Sequence, residues 1–140
     1  MKLHIINGPN LNLLGKREPK IYGKKNFKSY FTELQFKHRK LELSYFQSNS
    51  EADLITEIQD AKADGIIINA AAYTHTSIAI ADAIAAIDIP VIEVHISNIH
   101  AREEFRKKSF ISPVAKGCIF GFGLQSYELA IQSFLNQENV

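Results

Sequence analysis

The sequence predicts an α/β fold, in which one parallel β-sheet is covered by helices on both faces. Short runs rich in β-branched residues, which are typical of buried parallel strands, alternate along the chain with segments of helical periodicity. This alternation is strict, and right-handed crossovers between parallel strands place the helices on both faces of the sheet. The two observations together predict a doubly wound architecture.

Five segments are predicted as strands. They are residues 3–6, 41–46, 65–69, 89–95 and 117–122. Pro90 falls near the start of the fourth segment, where a missing backbone donor is tolerated. Five parallel strands fit the flavodoxin-like order 2-1-3-4-5 best, although periodicity by itself does not determine strand order.

Helical patterns occupy the segments between and after these strands. Three of them have an apolar face: Phe27, Tyr30, Phe31 and Leu34 in the first, Leu54, Ile55, Ile58 and Ala61 in the second, and Leu124, Tyr127, Ile131, Phe134 and Leu135 in the last. Residues 77–86 are rich in Ala and Ile on most sides, which indicates a helix packed against two surfaces. Ser50 precedes Asp53 by three residues, a capping-box-like spacing that predicts the start of the second helix.

Polar residues concentrate where the predicted strands end. Asn7 and Asn10 follow the first strand, Asn69 ends the third, and Glu93 and His95 end the fourth. In open α/β sheets, ligands bind beyond the carboxyl ends of the strands. The sequence therefore predicts a binding site at this edge.

Length and composition predict one domain, residues 1–140, and disfavour several classes of function. The 16 Lys and Arg residues nearly balance the 15 Asp and Glu residues, so no electrostatic footprint for nucleic acid or an anionic membrane is present. The N-terminal apolar run is too short and too polar for a signal peptide, and no segment approaches the ~20 apolar residues of a membrane span. We expect a cytoplasmic protein that binds neither nucleic acid nor membranes.

The cysteine and glycine patterns also disfavour two kinds of site. Cys118 lies in an apolar run and is expected to be a buried core residue rather than a nucleophile. No Cys and His residues have the spacing of metal ligands, so no metal site is predicted. Gly121 and Gly123 match neither dinucleotide-binding nor Walker spacing, and are interpreted as a tight turn into the last helix.

Two pairs of residues have the chemistry of acid–base catalysis. Glu93 and His95 share a face because strand side chains alternate, and a carboxylate beside an imidazole holds its tautomer and raises its basicity. Tyr22 lies with Arg17 in a long polar loop, residues 15–23, where a guanidinium would lower the phenol pKa from about 10. The alternatives are that Tyr22 anchors the loop by packing and that His95 is structural.

Three further residues are candidates for binding. His75 lies at a strand-to-helix junction, where it would either cap the helix or bind substrate. Arg102 and Arg106 are four positions apart and share a face if that stretch is helical. Two arginines directed at one site indicate an anion such as a carboxylate, and the alternative is a solvated helix.

A set of ordered motifs extends along nearly the whole chain. They are NGPNLNLLG at 7–15, REP at 17–19 and YG at 22–23; Asn69 with YTHTS at 73–77; EVHISN at 93–98, RE at 102–103 and FR at 105–106; and SPVA at 112–115, Gly117 and GFG at 121–123. In this order, the motifs resemble those of the type II dehydroquinase family. Several long, ordered motifs are together far more specific than a single short one.

The resemblance implies the reaction and its catalytic residues. 3-Dehydroquinate would lose water to give 3-dehydroshikimate by anti elimination through an enolate, in the shikimate pathway, with no metal, Schiff base or other cofactor. Tyr22 would abstract the proton beside the ketone, with Arg17 tuning it. Asn10 would help to hold the water that stabilises the enolate oxygen. His95 would protonate the departing hydroxyl, with Glu93 orienting it.

The resemblance also implies how the substrate is bound. Asn69, His75 and Arg106 would bind its hydroxyls, and the backbone at Ile96 and Ser97 would hold its carboxylate. The role of Arg102 stays open.

Family members form dodecamers built from trimers, so the resemblance implies a homo-oligomer in which Asp82 reaches a neighbour's site. The chain departs from the family pattern at two places. Residues 70–72 are alanines where a glycine is frequent, and Ala81 precedes Asp82 where an arginine is common. Neither change affects a proposed catalytic group, and the second bears on subunit contacts.

Other classes of function compete with this interpretation. A flavodoxin-like binding domain without catalysis explains the fold equally well, but not the polar residues at one sheet edge. Another lyase or an isomerase on the same scaffold is disfavoured only by the motifs, because fold does not determine function. An enzyme that has lost its activity is disfavoured because every proposed catalytic residue is present.

Overall fold

The computed structural model describes residues 1–16, 20 and 24–137. In this part of the chain strands and α-helices alternate except between the fourth and fifth strands, which only 3-10 turns separate, so the predicted strict alternation is broken there. The strands are β1 (Lys2–Asn7), β2 (Glu42–Gln47), β3 (Gly65–Asn69), β4 (Val91–His95) and β5 (Gly117–Phe120). The α-helices are α1 (Phe27–Lys37), α2 (Glu51–Asp60), α3 (Ile78–Ala85) and α4 (Gln125–Gln137).

The five strands form one parallel sheet in the order β2-β1-β3-β4-β5. This confirms the predicted flavodoxin-like fold. Within the sheet, Ile67 lies beside Ile5 on one side and Ile92 on the other. The three central strands thus place fully apolar side chains next to one another, as expected for strands covered on both faces.

The core consists of two layers because alternate strand residues point to opposite faces. One layer packs Ile5, Ile67 and Val94 against α1 and α4, and the other packs Ile6 and Ile68 against α2 and α3. None of the described helices has both the length and the apolar character needed to span a membrane.

Local signals determine where several elements begin and end. The Ser50 side chain accepts a hydrogen bond from the Asp53 N–H at the start of α2, which confirms the predicted cap. Strand β4 begins at Val91, two residues later than predicted, and Pro90 contributes only its carbonyl, which accepts from the Ile66 N–H at 3.0 Å. Strand β5 ends before Gly121, whose φ of 92° turns the chain toward α4.

The prediction that Cys118 is buried is wrong. The side chain is exposed, because β5 is an edge strand of the sheet and its residues are only partly covered. Its neighbour Ile119 points to the other face and packs against the first core layer. Partial desolvation by its neighbours still raises the pKa of the Cys118 thiol above its usual value, which disfavours a nucleophilic thiolate.

Candidate active site

A pocket of about 120 Å³ lies beyond the carboxyl ends of β1, β3 and β4. This is the edge at which the sequence predicts a binding site. Its lining includes Asn10, Asn69, His75, His95, Arg102 and Arg106. The sheet therefore brings together residues that are widely separated along the chain.

A close approach of two loops shapes one side of the pocket. The Gly8 N–H donates to the Asn69 carbonyl at 2.8 Å, which joins the loops after β1 and β3. A Cβ atom on Gly8 would lie 2.6 Å from the Ala70 carbonyl oxygen, so only glycine fits there. Asn10 follows with a φ of 68° and presents its side chain to the pocket.

Glu93 and His95 form a buried pair, of which only His95 lines the pocket. The two side chains share a face of β4, as predicted, and His95 Nε2 lies 2.7 Å from Glu93 Oε2. Glu93 is fully buried, and His95 is 5% exposed at the pocket wall. Burial alone would raise the pKa of the Glu93 carboxyl, but hydrogen bonds from His95, Ser112 and Ser109 outweigh it and lower the pKa.

These contacts determine the orientation of the His95 ring. An ionised carboxylate only accepts hydrogen bonds, so Nε2 carries a proton directed at Glu93. No other described residue hydrogen-bonds to the His95 ring, which leaves Nδ1 available to exchange a proton with a ligand. The ring stacks near His75, with centroids 6.2 Å apart, and meets the edge of Phe120 at 5.2 Å.

Asn69 is fixed by a buried network that the sequence did not reveal. The Tyr127 hydroxyl on α4 donates to Asn7 Oδ1 at 2.8 Å and accepts from Asn69 Nδ2 at 3.0 Å. Asn69 Oδ1 in turn accepts from the Ala71 N–H at 3.1 Å. Burial raises the pKa of Tyr127, so its hydroxyl stays neutral and remains a donor. The helical spacing of Tyr127 in the sequence indicated only that it is a core residue.

His75 binds the backbone instead of capping α3. Its Nδ1 lies 2.7 Å from the Lys108 carbonyl oxygen, whereas the Ser77 side chain caps the helix. Burial lowers the pKa of His75, and the nearby His95 and Arg106 charges lower it further. At neutral pH the ring is therefore uncharged. Because Nδ1–H donates to the carbonyl, Nε2 can accept a hydrogen bond from a ligand hydroxyl.

Arg102 and Arg106 give the pocket a positive wall. They do not share one continuous helix, because Ile99–Ala101 and Glu104–Arg106 are separate 3-10 turns, but both side chains reach the pocket. Arg106 Nε pairs with Glu103 Oε2 at 3.0 Å, and Glu103 lies at the exposed surface. A guanidinium pair of this kind suits a carboxylate ligand.

The backbone at Ile96 and Ser97 also lines this wall. The His95 and Ile96 carbonyls accept from Gly121 and Gly123 at 3.2 and 3.0 Å, which fixes the turn that follows β4. Within the described ranges no acceptor meets the Ser97 N–H. That donor is therefore available to an anionic ligand.

The structure brings together most, but not all, of the predicted site residues. Tyr22 and Arg17 lie outside the described residues. Asp82 lies on the exposed face of α3 and does not line this pocket. Ser109 and Ser112, which bind Glu93, were not predicted as site residues, and only the SPVA motif drew attention to Ser112.

Comparison with known proteins identifies the family. The sequence profile of the family described as Dehydroquinase class II matches residues 1–135. Proteins named 3-dehydroquinate dehydratase from Francisella philomiragia and from an Exiguobacterium species are 52% and 53% identical to the chain, over 100% and 96% of its length. The matches cover 98% and 94% of those proteins.

Solved structures agree with the sequence comparison. The crystal structure of a type II dehydroquinase from Butyrivibrio crossotus superposes with a TM-score of 0.92 at 47% identity, covering 95% of this chain and 96% of that one. A second, from Propionibacterium acnes, has a TM-score of 0.90 at 43% identity, with coverage of 95% and 94%. Sequence, fold and the position of the pocket agree, and the chain belongs to the class II dehydroquinase family.

Proposed function

We propose that this hydro-lyase removes water from 3-dehydroquinate in the described pocket, as part of the shikimate pathway, and that His95 supplies the proton for the departing hydroxyl. The observation that carries the proposal is the buried Glu93–His95 pair, whose histidine lines a cationic pocket. Membership of the family favours catalysis over a binding domain without activity.

The acid half of the reaction rests on the geometry of this pair. His95 begins the step as an imidazolium, stabilised through Nε2 by the Glu93 carboxylate. It releases the proton from Nδ1 to the leaving oxygen. The enolate electron pair returns to re-form the ketone and to make the C=C bond, so that the C–O bond breaks and water forms. A positioned acid of this kind contributes about 10²–10⁴-fold to a rate.

The base half involves residues outside the described part of the chain. Tyr22 takes the proton beside the ketone, Arg17 lowers the energy of its phenolate, and the electron pair moves to the ketone oxygen as an enolate. Asn10 orients a water toward that oxygen. The described position of Asn10 at the pocket wall supports this role.

Substrate binding divides between the charged and neutral sides of the pocket. Arg106 binds a ring hydroxyl, and the Ser97 and Ile96 backbone holds the carboxylate beside the positive wall. His75 accepts from a hydroxyl through Nε2, and Asn69, which Tyr127 holds in a fixed orientation, binds a second hydroxyl.

The assembly and setting belong to the same proposal. We infer a dodecamer built from four trimers, in which Asp82 contributes to a neighbour's pocket, and its exposed place on α3 supports this. Residues 1–140 act as one catalytic domain in the cytoplasm.

A spectrophotometric assay with 3-dehydroquinate tests the function directly. The conjugated enone of the product should appear, and activity should survive both borohydride and a chelator. Tyr22→Phe should abolish most turnover and leave substrate binding largely intact. Absence of enone formation by folded, oligomeric protein, or a Tyr22→Phe variant that loses binding instead of turnover, would contradict the proposal.

A further inference from the structure

The Glu93 carboxylate has more partners than His95 alone. Its Oε2 accepts from Ser109 Oγ at 2.8 Å as well as from His95, and its Oε1 accepts from Ser112 Oγ. The Cys118 thiol is a weaker fourth donor, 3.6 Å from Oε1. Each carboxylate oxygen is therefore bound by one serine hydroxyl.

The orientation of the Ser109 hydroxyl is determined by the backbone. Ser109 Oγ accepts from the N–H groups of Ile111 and Ser112, at 3.1 and 3.0 Å. With its lone pairs engaged in this way, the hydroxyl directs its single proton at Glu93. The segment between β4 and β5 thus holds the Ser109 hydroxyl in place as a donor to Glu93.

We propose that Ser109 and Ser112 are positioning residues that keep Glu93 ionised and aligned while His95 transfers its proton. This inference rests on the proposed role of the Glu93–His95 pair. When an imidazolium gives up a proton, a neighbouring carboxylate competes for it through Nε2. Hydrogen bonds to the ionised carboxylate favour that form, so the competing transfer is suppressed and the proton leaves from Nδ1.

The two serines differ in how cleanly they can be tested. Ser109→Ala removes a donor to Glu93 and also the acceptor of two backbone N–H groups. The Ser112 hydroxyl donates to Glu93 and also contacts the Cys118 thiol, but it accepts from no described backbone N–H, so Ser112→Ala leaves the backbone hydrogen bonds intact. Ser112→Thr restores a hydroxyl. Ser133 provides a matched control, because its half-buried hydroxyl donates to the Ala130 carbonyl in α4, away from the pocket.

The test is a pH–rate profile of the intact enzyme for each variant. With a donor lost, the Glu93 anion is less stabilised and the protonated form of the Glu93–His95 pair is favoured, so the alkaline limb of kcat should move to higher pH for Ser112→Ala. Its plateau kcat should fall about 10-fold, the size expected for one hydrogen bond to a charged group, with KM within about twofold. Ser112→Thr should recover most of the rate, and Ser133→Ala should match the unmodified enzyme.

Glu93→Gln separates this inference from the proposed function. If Glu93→Gln leaves the profile unchanged, the Glu93–His95 pair is not the acid and both proposals fail. If Glu93→Gln alters the profile but Ser112→Ala superposes on Ser133→Ala, only the positioning role is overturned. A Ser112→Ala variant that loses rate without moving the limb, and that Ser112→Thr does not rescue, would also overturn it.

Discussion

Two histidines of this protein pair with a glutamate at 2.7 Å, and only one of them faces a pocket. His95 contacts Glu93, and His4 on β1 contacts Glu57 on α2 with the same separation. Both histidines are more than nine-tenths buried. Serine hydroxyls contact both pairs. In the His4 pair the serine binds the histidine, whereas in the His95 pair the serines bind the glutamate.

The difference lies in the second ring nitrogen. His4 Nδ1 lies 2.6 Å from Ser44 Oγ on the neighbouring strand, so both of its ring nitrogens are engaged by protein groups. In the other pair the serines bind the carboxylate and leave His95 Nδ1 open to the pocket. A histidine and glutamate at hydrogen-bonding distance are thus compatible with either role, and the free nitrogen beside a cavity is what supports the catalytic role proposed for His95.

The largest expected effect is that of removing the His95 ring. His95→Asn should lower kcat about 10²–10⁴-fold, because it deletes the proposed general acid. The measurement is steady-state turnover of 3-dehydroquinate, normalised to the folded fraction by circular dichroism. Turnover within about fivefold of the unmodified enzyme would remove the distinction between the two histidines.

His4→Ala should affect stability instead of activity. It removes two hydrogen bonds that link β1 to β2 and to α2, together with buried packing, at a cost of about 2–4 kcal/mol in the free energy of unfolding. Denaturant titration measures this loss, and kcat per folded molecule should stay within about twofold. A large drop in kcat of folded protein would indicate that His4 is coupled to the site.

The smallest expected effect is on the pH dependence of stability. Because the folded-state pKa of Glu93 is lowered from 4.5, its ionised form stabilises the fold above about pH 4.5, and this contribution is lost as the pH falls through the folded-state value. Unfolding free energies of the unmodified protein and Glu93→Gln should therefore differ at neutral pH and converge in acid. A constant difference down to about pH 3 would mean that Glu93 is not held as an anion.

Much of the fold could be predicted because its signals are local. Apolar runs located all five strands, and the cap at Ser50 marked the start of α2 within one residue. The limits of β1 and β2 differed by one residue at each end, and those of β4 and β5 by two residues, where Pro90 and Gly121 changed the backbone. Cys118 was mispredicted because an apolar neighbourhood does not show that a strand lies at the sheet edge.

The sequence by itself determined the α/β class, the alternation that places Glu93 and His95 on one face, and the ordered motifs of the family. Only the tertiary structure showed that Ser109 and Ser112 bind Glu93 from 16 and 19 positions away, or that Tyr127 joins Asn7 to Asn69 across 120 and 58 positions. Periodicity reports how a side chain points relative to its own strand or helix. Which distant group meets it depends on strand order and loop path, and those contacts separate the structural histidine from the one at the pocket.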